Sequence, residues 1–201
     1  MHISEGVLAA PVLISGVAAA AAGCSVGLRK MDFDKTPRVA VMASTFFVAS
    51  LIHVPIGPSS IHLILTGLVG IILGWASFPA ILVALLLQSI LFQFGGLTTL
   101  GVNCFAMAFP ALLCYLIFSK LINGKNQSLA VIAGFLAGFC GVMLAVIIIA
   151  AALAISGEQF ITVARLILIA HLPVMIIEGL IVTTIVVFLR RAKPELLKGV
   201  V

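Results

Sequence analysis

Seven apolar runs, separated by short polar or Gly/Pro-rich breaks, constrain this chain more than any single motif does. They cover roughly 7–28, 38–53, 60–74, 78–93, 103–119, 128–155 and 160–190. The breaks coincide with turn-forming residues: Arg29 to Pro37, Pro55-Ile56-Gly57-Pro58, Phe78-Pro79, Gly95-Gly96, Asn123-Gly124 and Ser156-Gly157. Apolar runs approaching 20 residues read as helices that cross a bilayer. A soluble chain of 201 residues, 63% hydrophobic and 8% charged, would have to hide more apolar surface than one core can hold. In lipid that surface needs no cover, and helices satisfy their own backbone groups. The expected fold class is all-α integral membrane, a bundle of seven transmembrane helices forming one domain over 1–201. The third and fourth runs are short and joined by the tight connector Gly74 to Phe78, while the last two are long enough to tilt.

Charge sets the orientation. Of the 11 Lys and Arg residues, Arg29, Lys30, Lys35 and Arg38 follow the first run, Lys120 and Lys125 the fifth, and Arg190, Arg191, Lys193 and Lys198 the seventh. With seven crossings all of these share one side, and only Arg165 does not. The positive-inside rule makes that side cytoplasmic, so the N-terminus is expected outside and the C-terminus in the cytoplasm. The net charge of +5 is then an orientation signal, and no nucleic-acid partner is expected. Ala21-Ala22-Gly23-Cys24 resembles a lipoprotein cleavage site, but the stretch before it holds Glu5 and no basic residue, so cleavage is not expected. Cys24, Cys104, Cys114 and Cys140 all lie in apolar runs without CxxC spacing and read as packing residues.

Chemistry-bearing residues fall in three places. At the front stand Met1 and His2. Methionine aminopeptidases spare Met1 when residue 2 is as bulky as histidine, so a free α-amine is expected. That amine, the residue-2 backbone nitrogen and the His2 imidazole can close two fused chelate rings on one ion. Three nitrogens near one plane suit Ni(II), Cu(II) or Co(II), not Mg(II) or Ca(II). Taken alone, a polar terminus with a chance histidine explains the same residues.

The second place is the segment between runs two and three, where His53 and His62 bracket Val54 to Ile61 on the expected external side. His62, read as opening a helix, could turn inward to fill the in-plane position that the terminal chelate leaves open. Ser59, Ser60, Gln93, Thr98, Thr99 and Asn103 offer partners for the second nitrogen of a ligating ring. A lone interfacial histidine bonded to a polar neighbour is the plainer reading. Finally, the last run carries His171, Pro173 and Glu178. His171 and Glu178, seven apart, share one helix face. They form either a buried polar pair beside a proline kink or an ion path or coupling surface.

Together these stretches resemble a known family. Met1-His2-Ile3-x-Glu5-Gly6, the Pro/Gly/Ser turn ending at His62, and Phe94-Gly95-Gly96-Leu97-Thr98-Thr99-Leu100-Gly101-Val102-Asn103 are similar to the CbiM/NikM family, as are His171-Leu172-Pro173 and Glu178-Gly179. Its members are substrate-capture (S) components of energy-coupling-factor transporters for cobalt and nickel. The resemblance implies an ion held by the Met1 amine, the His2 backbone and ring nitrogens and His62, with His53 a supporting or transient ligand. It also implies a transmembrane substrate-capture domain in a bacterial or archaeal cytoplasmic membrane. The transported substrate would be Co(2+), favoured by overall likeness to the cobalt branch and its setting in cobalamin biosynthesis, or else Ni(2+). The implied partners are a transmembrane coupling subunit, cytoplasmic ATPase subunits and a small accessory membrane subunit. No GxxxxGK[ST] motif occurs in the chain, so ATP hydrolysis belongs to those partners. A transporter subunit is expected, not an enzyme, with no organic cofactor. From the residues alone two other classes stay open: a haem-binding membrane subunit using two of His53, His62 and His171, and a structural membrane subunit.

Overall fold

Apolar runs become helices along most of the chain, and their ends follow local chemistry. The structure, a computed structural model, describes the backbone of residues 2–51, 53–56 and 59–199, and the side chains of 2–51 and 62–199. Among these residues the helices are α1 (Ala10–Lys30), α2 (Thr36–Ala49), α3 (Thr66–Leu73), α4 (Ser77–Phe92), α5 (Leu100–Ile122), α6 (Gln127–Ser156), α7 (Ile161–Ala170) and α8 (Leu172–Ala192). Proline in the first turn of α1 removes an N–H that would have no helical partner there, and Arg29 and Lys30 at the far end offset the negative pole of the helix dipole. At the start of α6 the Asn126 carboxamide oxygen accepts the Leu129 N–H at 3.2 Å.

α5 and α6 form the centre. α5 packs against α1, α3, α4 and α6, while α6 also carries α7 and α8. All eight residues of α3 are buried. Large apolar side chains such as Ile14, Val41, Ile90, Ile132, Ile176 and Phe188 are exposed on the outside. That inverts the pattern of a soluble domain and suits a hydrocarbon surround. Five segments among the described residues are long and apolar enough to cross a membrane: Ala10–Lys30, Thr66–Phe92, Leu100–Ile122, Gln127–Ser156 and Glu158–Ala192. The chain is a multi-pass membrane protein.

The basic segments meet at one end of the bundle. Arg38 Nη1 donates to the Gly199 carbonyl at 3.2 Å, Asn123 Nδ2 to Leu197 O at 2.9 Å, and Arg190 to the carbonyls of Ile122 and Gly124. Lys30 lies 4.9 Å above the Trp75 ring, which brings the α3–α4 turn to the same end.

One sequence expectation is corrected. The third run does not begin as a helix, and His62 does not open one. Instead β1 (His53–Ile56) and β2 (Ser59–His62) pair antiparallel, with His53 opposite His62. Pro55 has no N–H to give a helix, and β-branched Val54, Ile56 and Ile61 suit extended backbone. Gly57 and Pro58, singled out as part of that turn, lie outside the described residues. The third and fourth runs form α3 and α4, joined by a tight turn at Gly74 with φ +56° inside one long apolar segment, Thr66–Phe92; α2, at 14 residues, is short. The last run is interrupted at His171, which divides it into α7 and α8 just before Pro173 in the first turn of α8. The four cysteines are free thiols, with Cys24, Cys104 and Cys114 buried.

One close crossing fixes α3 on α5: a Cβ placed on Gly70 would overlap the Ala111 carbonyl oxygen, a backbone atom with little room to yield. Gly70→Ala is therefore expected to cost about 1–3 kcal/mol of stability through overpacking. A lower thermal unfolding midpoint in detergent is the readout, and an unchanged midpoint would refute the tight crossing.

Candidate metal centre

Residues 2–5 run between helices, so their peptide groups need partners from side chains. Asn103 and Thr99, one turn apart at the start of α5, supply them. Asn103 Oδ1 accepts the Ile3 N–H at 3.0 Å, and Asn103 Nδ2 and Thr99 Oγ1 donate to Ile3 O at 3.2 and 2.9 Å. Ile3 itself is fully buried, an apolar anchor directly after His2. Thr98 N–H donates to the Glu5 carboxylate at 3.2 Å. Gly95 closes the other side. Its φ is +77°, and a Cβ there would come within 3.4 Å of His2 Cβ and 3.1 Å of Asn103 Nδ2, so the backbone shape and the space both call for glycine.

This anchoring delivers His2 to His62. The rings are buried and stacked, with centroids 4.7 Å apart and planes 26° from parallel. His2 Nδ1 and His62 Nε2 face each other at 3.2 Å. Their outer nitrogens fix the tautomers. His62 Nδ1 lies 2.9 Å from Leu63 O, and a carbonyl can only accept, so Nδ1 carries the proton and Nε2 presents a lone pair. His2 Nε2 lies 2.7 Å from Gln88 Oε1. Gln88 uses its amide nitrogen elsewhere, donating to Phe47 O at 3.3 Å and to the Ser50 hydroxyl. Ser50 in turn donates to Phe47 O at 2.9 Å. The Gln88 oxygen is thereby committed to His2, which must donate from Nε2 and keep a lone pair on Nδ1. Two lone pairs then face each other in a buried site. Facing lone pairs repel unless a proton or a cation lies between them. Adjacent nitrogen ligands at right angles, each about 2.0–2.1 Å from a metal, stand about 2.9 Å apart, close to the separation found.

Burial is the main reason that the His62 imidazole, in the hairpin and outside the candidate membrane-crossing helices, titrates well below the usual histidine range; the neighbouring His2 adds to the effect. A neutral ring is the form that binds metal. Among the described residues no group of three or more His, Cys, Asp or Glu side chains is placed to hold a metal. Met1 lies outside the described residues.

The other sequence candidates scatter. Thr99 and Asn103 hold the Ile3 peptide, not a histidine ring. Thr98 acts through its backbone on Glu5. Gln93, at φ +57°, lines a cavity with Glu5, Ser89 and Gly95 to Leu97. His53, Ser59 and Ser60 are paired strand residues whose side chains lie outside the described set. His171 Nδ1 bonds back to Ile167 O at 2.8 Å within its own helical segment. Glu178 Oε1 accepts the N–H groups of Ile64 and Leu65. The residue that sequence reasoning missed is Gln88. Its signal was present, a carboxamide inside the apolar run Leu85-Leu86-Leu87-Gln88, because buried polar groups in membrane segments have partners.

Residues 2–196 match the family described as "Cobalt uptake substrate-specific transmembrane region". A metal transport protein of Haemophilus influenzae is 42% identical over 199 residues, spanning 98% of this chain and 97% of that one. The cobalt transport protein CbiM of Sorangium cellulosum is 30% identical over 98% of this chain and 94% of its own length. A crystal structure of a transition metal transporter superposes with a TM-score of 0.83 at 27% identity, covering 96% of this chain and 93% of that one. The chain belongs to the CbiM family of cobalt-uptake transmembrane proteins.

Proposed function

We propose that this protein captures a bare divalent transition-metal ion at the external face and delivers it inward as the S component of an ATP-driven energy-coupling-factor importer. The ion is held by the Met1 amine, the His2 backbone nitrogen, His2 Nδ1 and His62 Nε2. Cobalt is the favoured substrate, in keeping with the family's description; nickel is the second reading, because a planar set of nitrogens suits Ni(II). The chain crosses the cytoplasmic membrane of a bacterium or archaeon seven times, with the N-terminus outside and the C-terminus in the cytoplasm. A transmembrane coupling subunit, ATPase subunits and a small accessory membrane subunit complete the importer. The single observation that carries the metal site is the 3.2 Å approach of the two ring nitrogens, each left with a lone pair by what its other nitrogen bonds.

Chelation by the terminal amine has a strict geometric consequence. One extra residue before Met1, or an acetyl cap on it, is expected to abolish tight Ni(II) or Co(II) binding while the helical fold persists. Isothermal titration of capped and uncapped protein measures this, and an N-terminal extension that leaves affinity intact would sink the site.

Substitutions should grade by distance from the ion. Gln88→Leu, which removes the acceptor that fixes the His2 tautomer, should weaken binding about 10–100-fold. His62→Ala, which removes a donor, should weaken it further, and His53→Ala less than either. Equal losses at His62 and His53 would show that the wrong histidine has been named.

Affinity should also fall as the pH drops. The reference pKa of a free α-amine is about 7.7–8.0 and that of an ordinary imidazole about 6.5. Both must lose protons to bind, so loading releases protons. With His62 already kept neutral by burial, the competition falls on the amine and on His2, and affinity should decline from about pH 8 downward. A carboxylate site at Glu5 or Glu158 would instead hold its affinity to about pH 5, since the reference pKa of a glutamate side chain is about 4.3. Metal titrations over that range distinguish the two, and a flat profile would rule out the nitrogen site.

A further inference from the structure

Of the six acidic residues in the chain, Glu178 is the one that is fully buried, with 0% exposure. It stands on α8 and reaches the stretch between β2 and α3. Its Oε1 accepts two consecutive backbone N–H groups, from Ile64 and, at 2.8 Å, from Leu65. These amides follow His62 by two and three residues and lie between strand and helix. The ring of His62 is itself tied to that stretch through Leu63 O at 2.9 Å. Leu65 is held at φ +51°, a left-handed backbone that a leucine rarely adopts and that needs outside support. One carboxylate oxygen therefore fixes the backbone from which the His62 ring hangs.

The surrounding helices bring Glu178 to this point. A Cβ on Gly138 of α6 would lie 2.5 Å from the Glu178 carbonyl oxygen, and one on Gly67 of α3 would overlap the Ala137 carbonyl oxygen. The start of α3 and the Glu178 turn of α8 thus meet α6 at adjacent positions, Ala137 and Gly138. α3 does not need the carboxylate to stay packed, since all of its residues are buried on their own account. The carboxylate acts on the segment before it.

We propose that Glu178 is a positioning residue for the metal ligand His62, holding the chain after it from across the bundle so that Nε2 meets His2 Nδ1. The inference rests on the metal site proposed above and adds to it a residue that touches neither ring. Glu178 binds through one oxygen and two amides, so reach matters and charge does not. Glu178→Gln keeps an acceptor oxygen at the same distance. Glu178→Asp keeps the charge and withdraws the oxygen by one methylene.

The test uses the purified full chain with its native amino terminus in detergent, and Ni(II) alone as the probe. Affinity is read by titration and ligand geometry by the visible ligand-field absorption. Glu178→Asp should bind Ni(II) about 10–100-fold more weakly, with the absorption shifted toward that of a site where solvent has replaced one ring nitrogen. Glu178→Gln should retain the wild-type spectrum and most of the affinity. Thermal unfolding of both should remain cooperative, with the midpoint near wild type for Gln and lowered for Asp, which leaves two buried N–H groups without their acceptor. The reverse order, Gln weak and Asp intact, would overturn the proposal in favour of a charge effect. Equal losses in both variants, or none in either, would overturn it as well. If the wild-type protein itself shows no nitrogen-ligated Ni(II) spectrum, the metal site fails first; a wild-type spectrum left unchanged by Asp defeats only the role of Glu178.

Discussion

Backbone that leaves a helix inside an apolar bundle must find new hydrogen-bond partners, because neither lipid nor packed side chains supply any. Much of the candidate site can be understood as a set of answers to that requirement. The hairpin pairs with itself, strand to strand, from His53 to His62. The stretch after it is taken up by Glu178. The Ile3 peptide is taken up by Thr99 and Asn103. The last two sets of partners come from helices remote in sequence, and all three answers fix a segment that carries a histidine.

Fixing the backbone places the rings, and their outer nitrogens then set the chemistry. The Gln88 oxygen is committed to His2 because its amide nitrogen is occupied by Phe47 O and Ser50. The Leu63 carbonyl does the same for His62. Neither contact approaches the space between the rings, yet together they leave a lone pair on each facing nitrogen. Rings held in this way have already lost their rotational freedom, which lowers the entropic cost of any further contact they make.

Small residues make the arrangement possible. Gly95 lets the α4–α5 connection close over His2, and Gly67, Gly70 and Gly138 let α3, α5, α6 and α8 approach at backbone distance. Close helix contact through small residues is how bundles pack when lipid competes for apolar side chains. In this chain it also brings Glu178 within reach of the His62 segment.

Composition and periodic breaks alone made the helical membrane class legible, because burying so much apolar surface has few solutions. The meeting of His2 with His62 was readable as a hypothesis, since the chelating potential of the first two residues is a local property that asks for one more nitrogen. Local pattern misled where extended and helical backbone compete: the run from residue 60 is apolar either way, and only pairing with residues 53–56 makes it a strand. Gln88, Ser50 and Glu178 show a different limit. Sequence marks each as a polar group in an apolar surround, but their partners lie 86, 38 and 114 positions away along the chain. The sequence by itself determined the apolar surround and the predominance of helix, both of which depend on residue type and short spacing. Only the tertiary structure decided which polar side chain meets which histidine, because that depends on how helices distant in sequence cross.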